Sequence, residues 1–390
     1  MIFFLIFIIV FSGKLYFIDI GIVVLLVYFL IRPPMFLFDK KQLWLLLFLF
    51  LLSAYSLTIS ALNLGIEIFW PLKFIKASIL WFLLVPFLNT ITITVDELNK
   101  YIILSVLLHS IIILGTIFIP SVRDFIFGLT GYIHRGQSGL RSPGITISFN
   151  ATAIVHVVGL YILMLKKHPF RGVKKKVISL IMFSSLLFLG RTISFIGIAI
   201  LIVMLIKKLN KSAILIVILS LVMIPISLEN LKNNKDIEKF SPSIATLLIN
   251  YKVFMSPLTS NSDVNIYNYN KEVLGSHIFF NESLITNLFG NSRTGHSRLI
   301  DNDPKGETGS DLGIINSINA NGIIGTTFIV FFYISIYLFS NKDDLVGLVC
   351  FLSLILSFKE LGFLTSHATP LLFIYALTVY KNKNKCVEYI

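Results

Sequence analysis

The sequence contains little that would support redox, metal or nucleotide chemistry. It has two cysteines, Cys350 in an apolar run and Cys386 in a polar tail, so neither a structural disulfide nor a thiolate metal cluster is expected. The P-loop, GxGxxG, HExxH, CxxC and GxSxG signatures are all missing. Asp301-Asn302-Asp303 has the form of a carboxylate metal site, but in an Asn-rich loop it is more typical of a turn. We therefore expect neither a metal nor a cofactor.

Charged residues are also scarce, whereas long apolar runs are abundant. Only 14% of the residues are charged and 56% are hydrophobic, with a mean hydropathy of +0.86. A helix needs about 20 apolar residues to cross a bilayer. Runs such as 43–52 are apolar on every side instead of alternating with polar residues, which argues against a β-barrel. The sequence predicts an all-α, polytopic helical membrane protein.

The polar breaks between apolar runs predict about twelve transmembrane helices. The predicted spans are 2–11, 15–31, 43–61, 72–88, 101–119, 149–165, 177–190, 192–206, 212–228, 322–339, 345–358 and 361–379. The first two could instead form one kinked re-entrant unit. Residues 1–11 lack a basic n-region and a cleavage site, so we interpret them as a retained span, with a cleaved signal as the alternative.

The net charge of +13 is unevenly distributed between the two predicted faces of the membrane. The segments 32–42, 89–100, 166–176, 207–211, 340–344 and 380–390 share one face, and they carry 17 Lys/Arg against 6 Asp/Glu. By the positive-inside rule this face is cytoplasmic, as are both termini. Because the charges lie in short clusters between apolar runs, they indicate topology and contact with lipid headgroups, not nucleic-acid binding.

Two predicted extracytoplasmic segments are too long to be simple connectors. Residues 121–148 form the first, and the polar, Asn- and Ser-rich residues 229–311 form the second. The second is long enough for a cap of short helices and turns. The predicted organisation is residues 1–228 with nine spans and the first outer segment, residues 229–311 as the large loop, and residues 312–390 with three spans and a cytoplasmic tail.

Arginines near the predicted outer surface are candidate phosphate ligands. Arg191 lies at the tip of an almost wholly apolar hairpin, where a guanidinium could hold a phosphate bidentately or could simply snorkel to the interface. Segment 131–150 carries Arg135 and Arg141 among four glycines. Glycines permit turns that bring N–H groups and arginines to one oxyanion, which suits a diphosphate. An exposed glycine-rich turn is the alternative for this segment.

Polar residues just before the tenth predicted span, in and before a predicted helix that starts near Leu312, are candidates for sugar chemistry. Glu307 or Asp311 could activate a sugar hydroxyl, while Asp311 could instead only cap the following helix. Asn316 and Asn319 lie on a stripe beside the apolar face of that helix and could orient a sugar.

Other polar residues are weaker candidates for substrate contact. Lys359 interrupts two apolar runs on the outer side and is a second phosphate contact. Arg293, His296 and Arg298 cluster in the large loop, where they could contact sugars or form a solvated basic loop.

These stretches resemble the Wzy-type O-antigen polymerases, within the group of O-antigen polymerases and ligases. The similarity rests on the many-span layout with one large outer loop late in the chain and on three motif stretches. These are the Arg-containing, Gly-rich residues 135–150, GRTIS at 190–194, and FG…SDLGIIN…NGIIG at 289–325.

The resemblance implies a metal-independent membrane glycosyltransferase of the GT-C kind. It would join oligosaccharide repeat units carried on undecaprenyl diphosphate at the periplasmic face of the bacterial inner membrane, and a chain-length regulator is a possible partner. Carried onto this sequence, Arg191 with Arg135 or Arg141 would stabilise the diphosphate leaving group. Asp311 or Glu307 would assist the acceptor hydroxyl.

Two other functions remain open from the sequence. A lipid-linked oligosaccharide flippase has a similar number of spans, but usually has short outer loops and charges within its spans. The O-antigen ligases commonly place a histidine just before the span that follows the large loop, where this chain has GETGSDLG. The match to the ligase is therefore poorer than the match to the polymerase.

Overall fold

The computed structural model describes residues 2–11, 14–15, 18–63, 69–130, 142, 144–146, 148–186, 188–189, 191–207, 284–291, 313–357, 364 and 367–387. Helices dominate these residues. They are α1 Ile2–Phe11, α2 Ile20–Ile31, α3 Lys40–Leu62, α4 Phe69–Thr90, α5 Val95–Phe118, α6 Pro120–Thr130, α7 Phe149–Leu165, α8 Gly172–Leu186, α9 Arg191–Lys207, α10 Leu284–Phe289, α11 Gly313–Phe339, α12 Asp344–Ser357 and α13 Ala368–Val387. The all-α prediction is confirmed for this part of the chain.

Among the described residues, four helices are long and apolar enough to cross a membrane: Lys40–Leu62, Trp70–Thr90, Val95–Phe118 and Ile314–Phe339. Shorter apolar helices are Ile2–Phe11, Ile20–Ile31, Phe149–Leu165 and Asp344–Ser357. These helices indicate a membrane-embedded protein. The count of twelve spans stays a prediction, since the proposed span 212–228 and most of the large loop lie outside the described residues.

Local sequence signals explain where several helices begin. The Asp39 carboxylate accepts from the Gln42 N–H at 2.9 Å while the Gln42 side chain accepts from the Asp39 N–H at 3.1 Å, which is a capping box for α3. The predicted span 15–31 begins as a helix only at Ile20. Before it, Lys14–Leu15 and Ile18–Asp19 pair as two short antiparallel strands, β1 and β2. The Asp19 carboxylate then accepts from the Gly21 N–H at 2.9 Å.

Two further helices differ from the boundaries that the sequence predicts. Residues 121–148 were predicted as an outer segment too long for a simple connector, with no helix assigned, and α6 occupies Pro120–Thr130. Proline is favoured at the first position of a helix because its missing N–H would be unpaired there anyway. The tenth predicted span, 322–339, is the second part of a longer helix, α11, which breaks at Gly322.

The chain divides into two compact units, and the first contains Met1–Val23 and Asp96–Asp263. Its centre is α7, in which every residue from Asn150 to Met164 is buried. Helices α8 and α9 both pack against α7. At Gly197 of α9, an added Cβ would lie 2.8 Å from a methyl group of Val157. The absence of a side chain therefore lets α9 approach α7 closely.

The second unit contains Val24–Val95 and Val264–Ile390. Helix α3 packs on α4 and α11, and α13 packs on α4. Trp81 of α4 is fully buried and meets Phe339 and Phe373 edge-on, with ring centroids 5.7 and 5.0 Å apart. Burying an aromatic ring of this size contributes on the order of 3 kcal/mol. This aromatic cluster joins α4, α11 and α13 into one core.

Candidate functional site

The structure describes few of the residues that the sequence proposes for the site. The Arg191 backbone begins α9, and Asn316 and Asn319 lie in the first part of α11. Asn316 is buried and Asn319 is half-buried. The other candidates lie outside the described residues: Arg135, Arg141, Arg293, His296, Arg298, Glu307, Asp311 and Lys359.

A backbone hydrogen bond connects the two arginine-bearing segments of the first unit. The Ser142 N–H, next to Arg141 in the chain, donates to the Phe188 carbonyl at 3.3 Å. Phe188 precedes Arg191 by three residues, in the turn between α8 and α9. The Ser194 hydroxyl donates back to the Leu186 carbonyl at 2.9 Å, which fixes the first turn of α9 against the end of α8. The backbones of Ser142 and Phe188 are therefore held side by side.

The end of the Gly-rich segment is fastened by buried hydroxyl groups. The Thr116 hydroxyl of α5 donates to the Ser142 hydroxyl. The Thr146 and Thr152 hydroxyls are 2.6 Å apart, and the Ser148 side chain caps α7 by accepting from the Ala151 N–H. Thr146 and Ser142 are both almost fully buried. A buried polar group is costly unless it is paired, so these bonds hold Ser142 and Thr146 in one position.

A histidine pair lies beneath this segment and was not predicted from the sequence. His109 Nδ1 and His156 Nε2 are 2.9 Å apart, and His156 Nδ1 is 3.1 Å from the Ser185 hydroxyl. Both imidazoles are fully buried, and the Phe11 ring stacks on His109 with centroids 4.3 Å apart. Within the described residues no group of three or more His, Cys, Asp or Glu side chains could hold a metal ion.

Gly144 allows the segment to lie against the histidine pair. Its φ is +64°, and an added Cβ would lie 2.6 Å from His109 Nε2. Glycine is therefore required both by the backbone conformation and by the space. Sequence motifs with short, fixed spacings could not predict the pairing of His109 with His156, because the two residues are 47 positions apart.

In the second unit, two glycines let a short helix contact the break in α11. Gly322 has φ 69° and ψ 175°, a combination almost restricted to glycine. An added Cβ there would overlap the backbone of Leu288, and a Cβ at Gly290 would overlap the backbone of Ala320. Gly290 ends α10 and has φ +90°. Phe289-Gly290 and Asn321-Gly322 are therefore in direct backbone contact.

Hydrogen bonds hold this glycine contact in place. The Asn291 N–H donates to the Asn319 carbonyl at 2.8 Å. The Tyr55 hydroxyl of α3 lies 3.0 Å from the Phe289 carbonyl and 2.8 Å from the Asn321 carbonyl, so its proton is shared between the two sides. A break inside a membrane helix is tolerated where neighbouring groups pair the freed backbone atoms. Tyr55 provides this pairing.

The side-chain amide of Asn321 lies next to the break at Gly322, and within the described part of the chain its NH₂ group is an unused hydrogen-bond donor. The residue is 1% exposed, and its Oδ1 accepts from the Ser56 hydroxyl at 3.2 Å. Its Nδ2 has no hydrogen-bond partner among the residues that the structure describes. Such a donor costs about 1–3 kcal/mol when it stays unpaired. The break in α11 therefore contains a buried amide donor with unused hydrogen-bonding capacity.

The chain matches no family model, no curated protein and no solved structure.

Proposed function

We propose that this chain is an O-antigen polymerase of the bacterial inner membrane. The observation that carries the proposal is the hydrogen bond from the Ser142 N–H to the Phe188 carbonyl, at 3.3 Å. It joins the two segments whose arginines are proposed to hold one diphosphate. Two guanidinium groups suit a diphosphate better than either would alone, because each can bind phosphate oxygens bidentately.

The proposed reaction transfers the growing chain to a new lipid-linked repeat unit. The acceptor hydroxyl oxygen attacks the anomeric carbon of the donor sugar, and the bond between that carbon and the phosphate oxygen breaks. The leaving group is undecaprenyl diphosphate, whose developing charge Arg191 with Arg135 or Arg141 would stabilise. Asp311 or Glu307 would take the hydroxyl proton. The proposal needs neither a nucleotide sugar nor a metal ion.

The second unit supports a role in sugar recognition. Asn316, Asn319 and Asn321 are all in the part of α11 that leads to the Gly322 break. Amides suit sugar hydroxyls because each offers both donors and an acceptor. The buried, unsatisfied Nδ2 of Asn321 provides the most specific support. Lys359 is a further proposed contact of the diphosphate. The proposed contacts of the sugars in the large loop are Arg293, His296 and Arg298.

The break in α11 also favours a second candidate, a lipid-linked oligosaccharide flippase. Discontinuous membrane helices commonly form the substrate sites of transporters. The polymerase is preferred because it also accounts for the arginine-bearing segments and for the large polar loop that the sequence predicts. An O-antigen ligase is the third candidate, disfavoured by the missing histidine before α11.

The test is a lipopolysaccharide gel from a strain that lacks this gene, with and without the restored gene. A polymerase defect should reduce the ladder to core carrying a single repeat, because export and ligation still operate. Loss of every repeat from the core would refute the polymerase and point to the flippase or the ligase. The leaflet in which the lipid-linked repeat accumulates would then separate these two. Accumulation on the cytoplasmic side would indicate the flippase, and accumulation on the periplasmic side would indicate the ligase.

A further inference from the structure

The turn between α7 and α8 borders a basic cleft that the proposed polymerase reaction does not use. The cleft has a volume of about 860 Å³ and lies at the start of α5 and the end of α7. Five cationic side chains line it: Lys100, Lys166, Lys167, Arg171 and Lys175. Two carboxylates, Asp96 and Glu97, also line it, so the net charge around the cleft is +3. This excess of positive charge favours an anionic ligand.

Hydrogen bonds give the cleft a defined shape. His168 Nε2 donates to the Leu163 carbonyl at 2.7 Å, and its Nδ1 accepts from the Phe170 N–H at 3.1 Å. The Asn99 side chain of α5 donates to the Lys167 carbonyl at 3.3 Å, which ties the turn to the neighbouring helix. The cations therefore extend from a braced turn and not from a loose loop.

His168 serves as a brace and not as a further cation. Its pKa lies below the ordinary value because burial disfavours the charged ring, and the positive charges of Lys175 and Arg171 add to this effect. The carbonyl of Leu163 opposes the shift only in part. The imidazole is therefore neutral at pH 7, in agreement with a ring whose Nδ1 accepts a hydrogen bond.

An exposed apolar stripe leads away from the cleft along α8. Val173, Val177 and Leu180 are 75%, 49% and 53% exposed, and their spacing places them on one face of the helix. A soluble anion would gain nothing from such a stripe, whereas the acyl chains of a lipid would cover it. The helix thus presents cations at one end and an acyl-chain surface along its side.

We propose that this cleft binds the headgroup of an anionic phospholipid, with the acyl chains against Val173, Val177 and Leu180. The cleft adjoins the first turn of α5 and the last turn of α7. Helix α5 is long enough to span a bilayer, and α7 is a shorter apolar helix. Headgroup phosphates lie beside the ends of helices that span a bilayer. Basic pockets between membrane helices on the cytoplasmic side are suited to such headgroups. This site is separate from the proposed diphosphate site and extends the function of the protein.

The experiment uses the full-length protein in neutral detergent and three probes: phosphatidylglycerol, phosphatidylcholine and inorganic phosphate. Lipid affinity is measured by titration and by native mass spectrometry. Lys167→Gln/Arg171→Gln should weaken phosphatidylglycerol binding about thirtyfold, at about 1 kcal/mol per charge. Lys174→Gln/Lys176→Gln is the matched control, since both lysines are exposed on the adjoining first turns of α8 but do not line the cleft. This control should stay within about twofold of wild type.

A third variant guards against misfolding as the cause of weaker binding. Asp96→Asn removes a repelling charge from the cleft and should tighten phosphatidylglycerol binding about fivefold, at about 1 kcal/mol. Damage to the fold would not produce a gain of this kind. Three results would overturn the proposal. The first is an equal loss of affinity in the test variant and in the control variant in which Lys174 and Lys176 are substituted. The others are phosphatidylcholine binding as tight as phosphatidylglycerol binding, and an unchanged affinity in Asp96→Asn. Competition by millimolar inorganic phosphate as strong as by lipid would reassign the cleft to free anions and also overturn it.

Discussion

The contact between Gly290 and Gly322 makes a prediction about the stability of the second unit. Gly322→Ala introduces a Cβ into a backbone conformation that costs about 1–3 kcal/mol for other residues. The same Cβ would also overlap the Leu288 backbone, which cannot move as a flexible side chain would. Overpacking of this kind costs about 1–3 kcal/mol more. We expect the free energy of unfolding to fall by about 2–6 kcal/mol, with α10 displaced from α11.

Two other glycines of the chain separate the causes of this loss. Gly172 has φ +57° with nothing within 4 Å of an added Cβ, so Gly172→Ala tests the conformational cost alone, about 1–2 kcal/mol. Gly128 lies within helix α6 with open space around it. Gly128→Ala should therefore stabilise the protein by about 0.5–1 kcal/mol, because alanine loses less backbone entropy than glycine.

The assay is denaturant titration of the purified variants in mixed micelles, with the lipopolysaccharide ladder as the functional readout. Gly290→Ala should resemble Gly322→Ala, and the double variant should lose less than the sum because both substitutions disrupt the same contact. The reasoning would be refuted if Gly322→Ala unfolded like Gly128→Ala. Strict additivity of the two losses would show that the glycines do not share a contact.

Three further predictions concern the proposed reaction and the topology. Arg191→Ala should abolish polymer at unchanged expression and Arg191→Lys should restore it only in part, because lysine lacks the bidentate fork; wild-type ladder length in the alanine variant would end this assignment. Asp311→Asn and Glu307→Gln are compared by the rate of polymer formation, and if neither slows it the base role is wrong. In a chain with single introduced thiols, Ser262→Cys should react with an impermeant reagent added from outside and Ser212→Cys should not; labelling of both would contradict the predicted topology.

Helix boundaries were predictable where the polar breaks are sharp. The predicted spans 2–11 and 149–165 coincide with Ile2–Phe11 and Phe149–Leu165. The latter follows Ser148, a residue that caps helices well, and precedes a run of charges. Pro120–Thr130 was missed because its sequence is short and mixed in polarity, although proline at its first position was a usable signal.

Contacts between distant segments were beyond the reach of periodicity. The sequence placed Asn316 and Asn319 on a helix, and the structure agrees. It gave no reason for Gly290 to meet Gly322, because that contact depends on how α10 returns to α11. The same limit applies to His109 and His156, whose pairing follows from the packing of α5 against α7. Composition predicts that a chain enters a membrane, but not which helices become neighbours.

Each unit contains one feature that bears on the proposed chemistry. In the first unit, the paired hydroxyls of Thr116 and Ser142 fix the described end of the Gly-rich segment. The proposed diphosphate leaving group needs fixed positive charge, because preorganised charge needs no rearrangement as the bond breaks. The second unit offers a broken helix and the buried amide of Asn321, where a neutral sugar could form hydrogen bonds out of water. Loss of polymer in Asn321→Ala with lipid-linked repeat still exported would tie this amide to polymerisation, whereas loss of export would favour transport through the break.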